Sequence, residues 1–185
     1  MSDAIVLDAS TALSVLRAEP AAPRVSALLR SHVTIGGRVI VPAHFWLEIT
    51  NVLMGRYGHT ATEVVERIRV LDEFEIQSVD LDRALWLLTV ARADGFGLGA
   101  YDAAYLALAE SLGAELMTFD ERLAAAAGSR AIPLGPQRLA EVSAAYGGTG
   151  DLAARGGVEG GPEPGAILAQ FGEYLAELRR PAVVE

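Results

Sequence analysis

Four acidic residues stand alone in apolar surroundings, each where a strand should end or a helix begin. They are Asp8 in AIVLDAST, Glu48 in VPAHFWLEITNVL, Asp102 in LGAYDAAYLALAE and Asp120 in LMTFDERL. Carboxylates are rarely buried unless they are paired or bind metal. Four that converge on one spot would hold a hard divalent cation through oxygen ligands. A cation so held activates water, and a phosphodiester is the natural target. Each acid also has a structural reading. Asp8 and Asp120 suit helix N-caps, Asp102 suits a helix start favoured by the macrodipole, and Glu48 suits a solvated helix face.

The neighbours of these acids carry the next layer of expectation. Ser10 and Thr11 are placed to hydrogen-bond a ligand carboxylate or water on the cation, or else to cap the helix. Asn51 lies three residues after Glu48, hence on nearly the same helical face. Thr118 reads as structural. His44, one turn before Glu48, reads as a surface or internally satisfied residue, and His32 and His59 as loop or helix-end residues. No Ser–His–Asp order, phosphate-binding loop or zinc spacing is present. Clustered carboxylates repel, so the pKa of at least one should rise without metal, and a bound cation should stabilise the fold.

The elements that must position these groups alternate between strand and helix. Strands are expected at 4–7, 38–41, 74–79 and 115–118, with a last short one at 131–133. Helices are expected at 9–17, from Pro20 and Pro23 to about 31, after Pro42, from Thr60 or Thr62 to 71, and at 82–93, 101–112 and 121–127. The alternation implies a parallel sheet covered on both faces. In such sheets ligands bind beyond the carboxyl ends of the strands. Asp8 and Asp120 fall at such ends.

Length and composition set outer bounds. The chain has 185 residues, is 51% hydrophobic and 21% charged, and contains no cysteine. Disulfides and thiolate metal sites are therefore excluded, and a reducing, cytoplasmic setting is the expectation. No apolar run approaches the roughly 18 residues of a membrane span. The formal net charge is −9, which disfavours nucleic-acid binding unless acids are neutralised by metal. All fifteen basic residues are Arg, in keeping with an Ala- and Gly-rich composition.

VLDAST, PAHFWLEITNVL, YDAAYLALA and TFDERL, with their four acids in this order, resemble the signatures of PIN-domain ribonucleases over about residues 3–134. The likeness is to the VapC-type toxins of bacterial toxin–antitoxin pairs. It implies an α/β/α sandwich with a central parallel sheet of four to five strands. It also implies endoribonuclease activity dependent on Mg²⁺ or Mn²⁺, with Asp8, Glu48, Asp102 and Asp120 as catalytic and metal residues. Homodimers, tRNA or rRNA as substrate, and a cognate antitoxin as inhibitor are implied in the same way.

The nuclease domain is expected to span 1–140. Residues 147–165 hold eight Gly and two Pro among nineteen residues and read as a flexible linker. Residues 166–180 place Ile167, Leu168, Phe171, Tyr174, Leu175 and Leu178 at helical spacing, as a tethered helix that docks in a groove or packs on the domain. The alternative function is a catalytically silent PIN-like module that binds RNA or protein, autoinhibited by this tail. A phospho-acceptor regulator is disfavoured, because no second acid accompanies the acceptor and no Lys follows.

Overall fold

In the computed structural model, residues 2–134 are described. The expected linker at 147–165 and helix at 166–180 lie outside them. The order is β1 (Ala4–Leu7), α1 (Ala9–Leu16), α2 (Ala22–Thr34), β2 (Arg38–Pro42), α3 (Phe45–Thr50), α4 (Ala61–Ile68), β3 (Gln77–Val79), α5 (Arg83–Phe96), α6 (Ala100–Leu112), β4 (Glu115–Met117) and α7 (Glu121–Ala127). The four strands form one parallel sheet in the order β3-β2-β1-β4. This is the PIN-like α/β/α arrangement.

Strand β1, AIVL, is buried at every position, as expected of a strand with helices on both faces. From β1 the chain builds outward through β2 to β3, then returns to place β4 on the other side of β1. The crevice between the carboxyl ends of β1 and β4 is therefore a topological switch point, where open α/β sheets bind ligands. Asp8 directly follows β1, and Asp120 follows β4 by three residues.

Helix α6 runs through the interior. Ala103 to Ala109 are all buried, and Tyr105 is among the largest fully buried side chains. Its start is set by the Gly97–Gly99 loop. Gly97 ends α5 in the left-handed conformation (φ 63°), which only glycine adopts without strain. Leu98 is then buried, and Gly99 caps α6. Asp102 thus falls in the first turn of α6.

Three local expectations are corrected. The strand foreseen at 74–79 begins only at Gln77, because Arg69–Phe74 form a 3₁₀ turn that buries Phe74, and Glu75 adopts a left-handed conformation (φ 50°). The strand foreseen at 131–133 is a single bridge, Leu116 to Ala131, which leaves four strands. The helix after Pro42 begins at Phe45 and widens into a π-helical stretch over Asn51–Arg56. Its helical spacing therefore breaks just after Glu48.

Candidate active site

The end of β1 turns straight into α1. Asp8 occupies the N-cap position in extended conformation, yet its side chain makes no capping bond. Its Oδ2 instead accepts from the Ser10 hydroxyl and, at 2.8 Å, from the Thr118 hydroxyl. Asp8 is 5% exposed and faces no cationic side chain in any described ion pair. Burial pushes its pKa up, the two hydroxyls hold it back, and the charge on Asp120 raises it further.

Beyond β4 the chain passes Thr118 and reaches Asp120. The Thr118 hydroxyl donates to Asp8 and accepts from the Asp120 amide at 2.9 Å. Ser10 repeats the arrangement, accepting from the Phe119 amide at 3.2 Å. Two hydroxyls therefore stitch the ends of β1 and β4 together around one carboxylate. Asp120 caps α7, with Oδ1 accepting from the Leu123 amide at 2.8 Å. Its structural reading is thus realised while its charge still acts on both other aspartates.

Asp102 is the third member. Its pKa is raised to about 6, first by burial, then by the charges on Asp8 and Asp120; Arg122 and the Gly99 amide pull the other way. The charges of Asp8 and Asp120 therefore act on Asp102 from separate elements. Strong perturbation by burial and by like charge is typical of functional sites.

Glu48 sits in a different set of contacts. It is 5% exposed and accepts from the Tyr105 hydroxyl. His44 Nε2 lies 3.7 Å from its Oε2. Tyr105 follows Asp102 by three residues on α6, so the two share a helical face and Glu48 is tied to the helix that carries Asp102. The solvated-face reading of Glu48 is therefore overturned.

Several neighbours differ from expectation. Ser10 does bond Asp8, but Thr11 is fully buried and donates to the Met117 carbonyl at 3.2 Å. Its hydroxyl fastens α1 to β4 rather than bonding an acid, while its amide donates to the Asp8 carbonyl at 3.1 Å. Asn51 is exposed at the start of the π-helical stretch and bonds no carboxylate among the described residues. Leu53 is fully buried in that stretch, and its packing leaves Asn51 to solvent. Thr118, read as structural, is a direct partner of Asp8. His44 is largely enclosed: it stacks on Tyr101, meets Tyr105 edge-on, and burial lowers its pKa. His32 is buried in the last turn of α2, with Nε2 3.2 Å from the Arg38 carbonyl. Tyr105 was not foreseen, although a buried tyrosine hydroxyl must find a partner and its spacing from Asp102 pointed inward.

The donor set is all hard oxygen, which suits Mg²⁺ or Mn²⁺. Among the described residues, however, no three carboxylate or imidazole groups stand close enough to enclose one ion by themselves. Mg²⁺ keeps several waters and commonly takes only one or two carboxylates directly. The raised pKa of Asp102, set first by burial and then by the charges on Asp8 and Asp120, fits such a cation.

The sign of the pH effect follows. The folded chain holds the Asp102 proton more tightly than the unfolded chain, so Asp102 subtracts stability as pH rises from 3.8 to about 6. The metal-free protein should therefore lose melting temperature across that window relative to its Asp102→Asn variant. Added Mg²⁺ should close the gap above the window. Parallel melting curves with and without the cation would contradict this coupling.

With fold and site described, the class is clear. Residues 5–129 match the PIN domain family, and the chain belongs to that family, in its VapC-type ribonuclease branch. It is 33% identical over 131 residues to the protein named Ribonuclease VapC12 in two strains of Mycobacterium tuberculosis. Each match covers 69% of this chain and 95% of the relative. No helix among the described residues is long and apolar enough to cross a membrane.

Proposed function

We propose that this chain is a Mg²⁺- or Mn²⁺-dependent endoribonuclease and the toxin of a toxin–antitoxin pair. The observation that carries the reading is the placement of Asp8 and Asp120 after β1 and β4 at the sheet's switch point. The reading is supported by Asp102, whose pKa burial and these two charges raise to about 6. Membership of a ribonuclease family and the relatives' printed name support the same reaction class. In this reading the protein is a cytoplasmic homodimer, silenced by a cognate antitoxin, and cuts tRNA or rRNA.

The cation would be held by Asp8, Asp102 and Asp120 partly through water, since these groups do not enclose an ion unaided. When bound it would supply charge neutralisation at the phosphate and a more acidic water. The chain's own residues do the rest. Ser10 and Thr118 fix the Asp8 carboxylate, so that one orientation is presented. Asp120, anchored by α7, sets the field around the other two. Tyr105 holds Glu48 in one rotamer, ready to receive a proton from the attacking water. Burial keeps bulk water away from Asp8 and Glu48.

One observation favours a second reading, a PIN-like module that binds RNA or protein without cutting. It is the spacing of the acids, which do not enclose an ion unaided. Incubating total RNA with the chain and its Asp102→Asn variant, in Mg²⁺ or Mn²⁺ and in chelator, separates the two. Cleavage that needs the cation and is lost in the variant supports the nuclease. Binding without cleavage in every condition supports the module.

A further inference from the structure

The carboxylate chemistry leaves one conspicuous side chain without a task. Tyr101 directly precedes Asp102 in the first turn of α6, yet the residue is 54% exposed. It is also held in place. One face stacks on His44, with ring centroids 5.1 Å apart and planes 27° apart. His44 is fixed from behind by Tyr105, edge-on at 5.1 Å and 72°. Tyr105 is fully buried and donates to Glu48. A ladder of three rings thus runs from a buried carboxylate to a half-exposed tyrosine beside Asp102.

We infer that Tyr101 is a stacking platform for a base of single-stranded RNA, next to the phosphate presented to Asp102. The inference rests on the ribonuclease reading and deepens it by naming the substrate form and a residue that receives it. The chain carries a net charge of −9, and the site itself is acidic. Phosphate attraction, the usual source of nucleic-acid affinity, is therefore weak here. Stacking on an aromatic face is independent of net charge and tolerates any base. It requires bases that are unpaired and splayed, hence single strands or loops rather than duplex. A platform works best when its ring is already oriented, and the His44–Tyr105 support supplies that. Arg122 is exposed, bonds the Gly97 carbonyl at 2.6 Å and acts on the charge of Asp102. As a cation that acts on Asp102, it would also meet the sugar–phosphate chain presented there.

The test is steady-state cleavage of a short single-stranded RNA by the full chain and by Tyr101→Ala, Tyr101→Phe and Tyr101→Trp. A matched RNA lacking the bases that flank the cut is run beside it. Tyr101→Ala should raise KM by about tenfold with kcat little changed, while Phe and Trp stay near wild type. The base-less RNA should lose the same factor on wild type and nothing further on Tyr101→Ala. Equal KM for all four proteins, or equal penalties for the base-less RNA on wild type and Tyr101→Ala, would overturn the platform. A changed oligomeric state in Tyr101→Ala with unchanged KM would overturn it too, by assigning the ring to a subunit contact. The base-less RNA on wild type needs no variant, so a poorly folding Tyr101→Ala does not spare the idea. If wild type cuts no RNA in any cation, the ribonuclease reading falls and this inference with it. If it cuts and Tyr101 is indifferent, only this inference falls.

Discussion

Replacing Asp8 by asparagine is expected to abolish RNA cleavage while making the metal-free protein more stable. The two effects share one cause. Asp8 is a buried carboxylate whose pKa is raised by desolvation and by Asp120. Burial and Asp120 disfavour its charge, the Ser10 and Thr118 hydroxyls offset part of that, and a bound cation would relieve the rest. Asparagine has nearly the same shape and no charge, and its carbonyl oxygen can still accept from Ser10 and Thr118. The gain should be a melting temperature higher by at least about 2 °C near pH 7. It should shrink as pH falls towards the ordinary aspartate value of 3.8, where the unfolded chain takes up the same proton. The loss should exceed the roughly 10- to 100-fold typical of residues that merely support a metal ligand. Thermal melts and cleavage rates on the same preparations check both halves. A variant that is less stable and still active would mark Asp8 as a structural residue.

The second large effect is expected at Tyr105. Tyr105→Phe keeps the ring but removes the hydroxyl that donates to Glu48. A buried acceptor deprived of a donor costs about 1–3 kcal/mol, more when it is charged. For a chain of this size that is a fall of about 2–12 °C in melting temperature. Cleavage should also drop about 10- to 100-fold, because Glu48 loses its fixed rotamer. In a Glu48→Gln background the same substitution should cost much less, since the charge that needed the donor is gone. A double-mutant cycle on melting temperature and rate measures that coupling. Additive effects would show that Tyr105 serves only the packing of α6.

The residues visible in the sequence were those whose role is announced locally. Asp8 and Asp120 follow apolar strands, and Asp102 opens a helix after a glycine-rich loop; the charges of the first two act on the third. Alternating strands and helices likewise gave the parallel sheet, with Asp82 and Thr60 as observed caps. What stayed hidden depends on contacts distant in the chain. Thr118 meets Asp8 across 110 residues, and Tyr105 meets Glu48 across 57. No local pattern distinguishes such a hydroxyl from one that merely fills space. Asn51 was misplaced for another reason. A helical wheel assumes constant pitch, and the π-helical stretch breaks it one turn after Glu48. The third strand was overextended because Phe74 looks like strand core, whereas its burial is achieved from a 3₁₀ turn.

The central claim is that Asp8, Asp102 and Asp120 hold a divalent cation. Free Mn²⁺, followed by electron paramagnetic resonance while the full chain is titrated in, measures this directly. The account predicts binding that weakens as pH falls below about 6, where Asp102 takes up its proton, and that is lost in Asp8→Asn. Equal Mn²⁺ uptake by wild type and variant, or uptake indifferent to pH across that range, would contradict it.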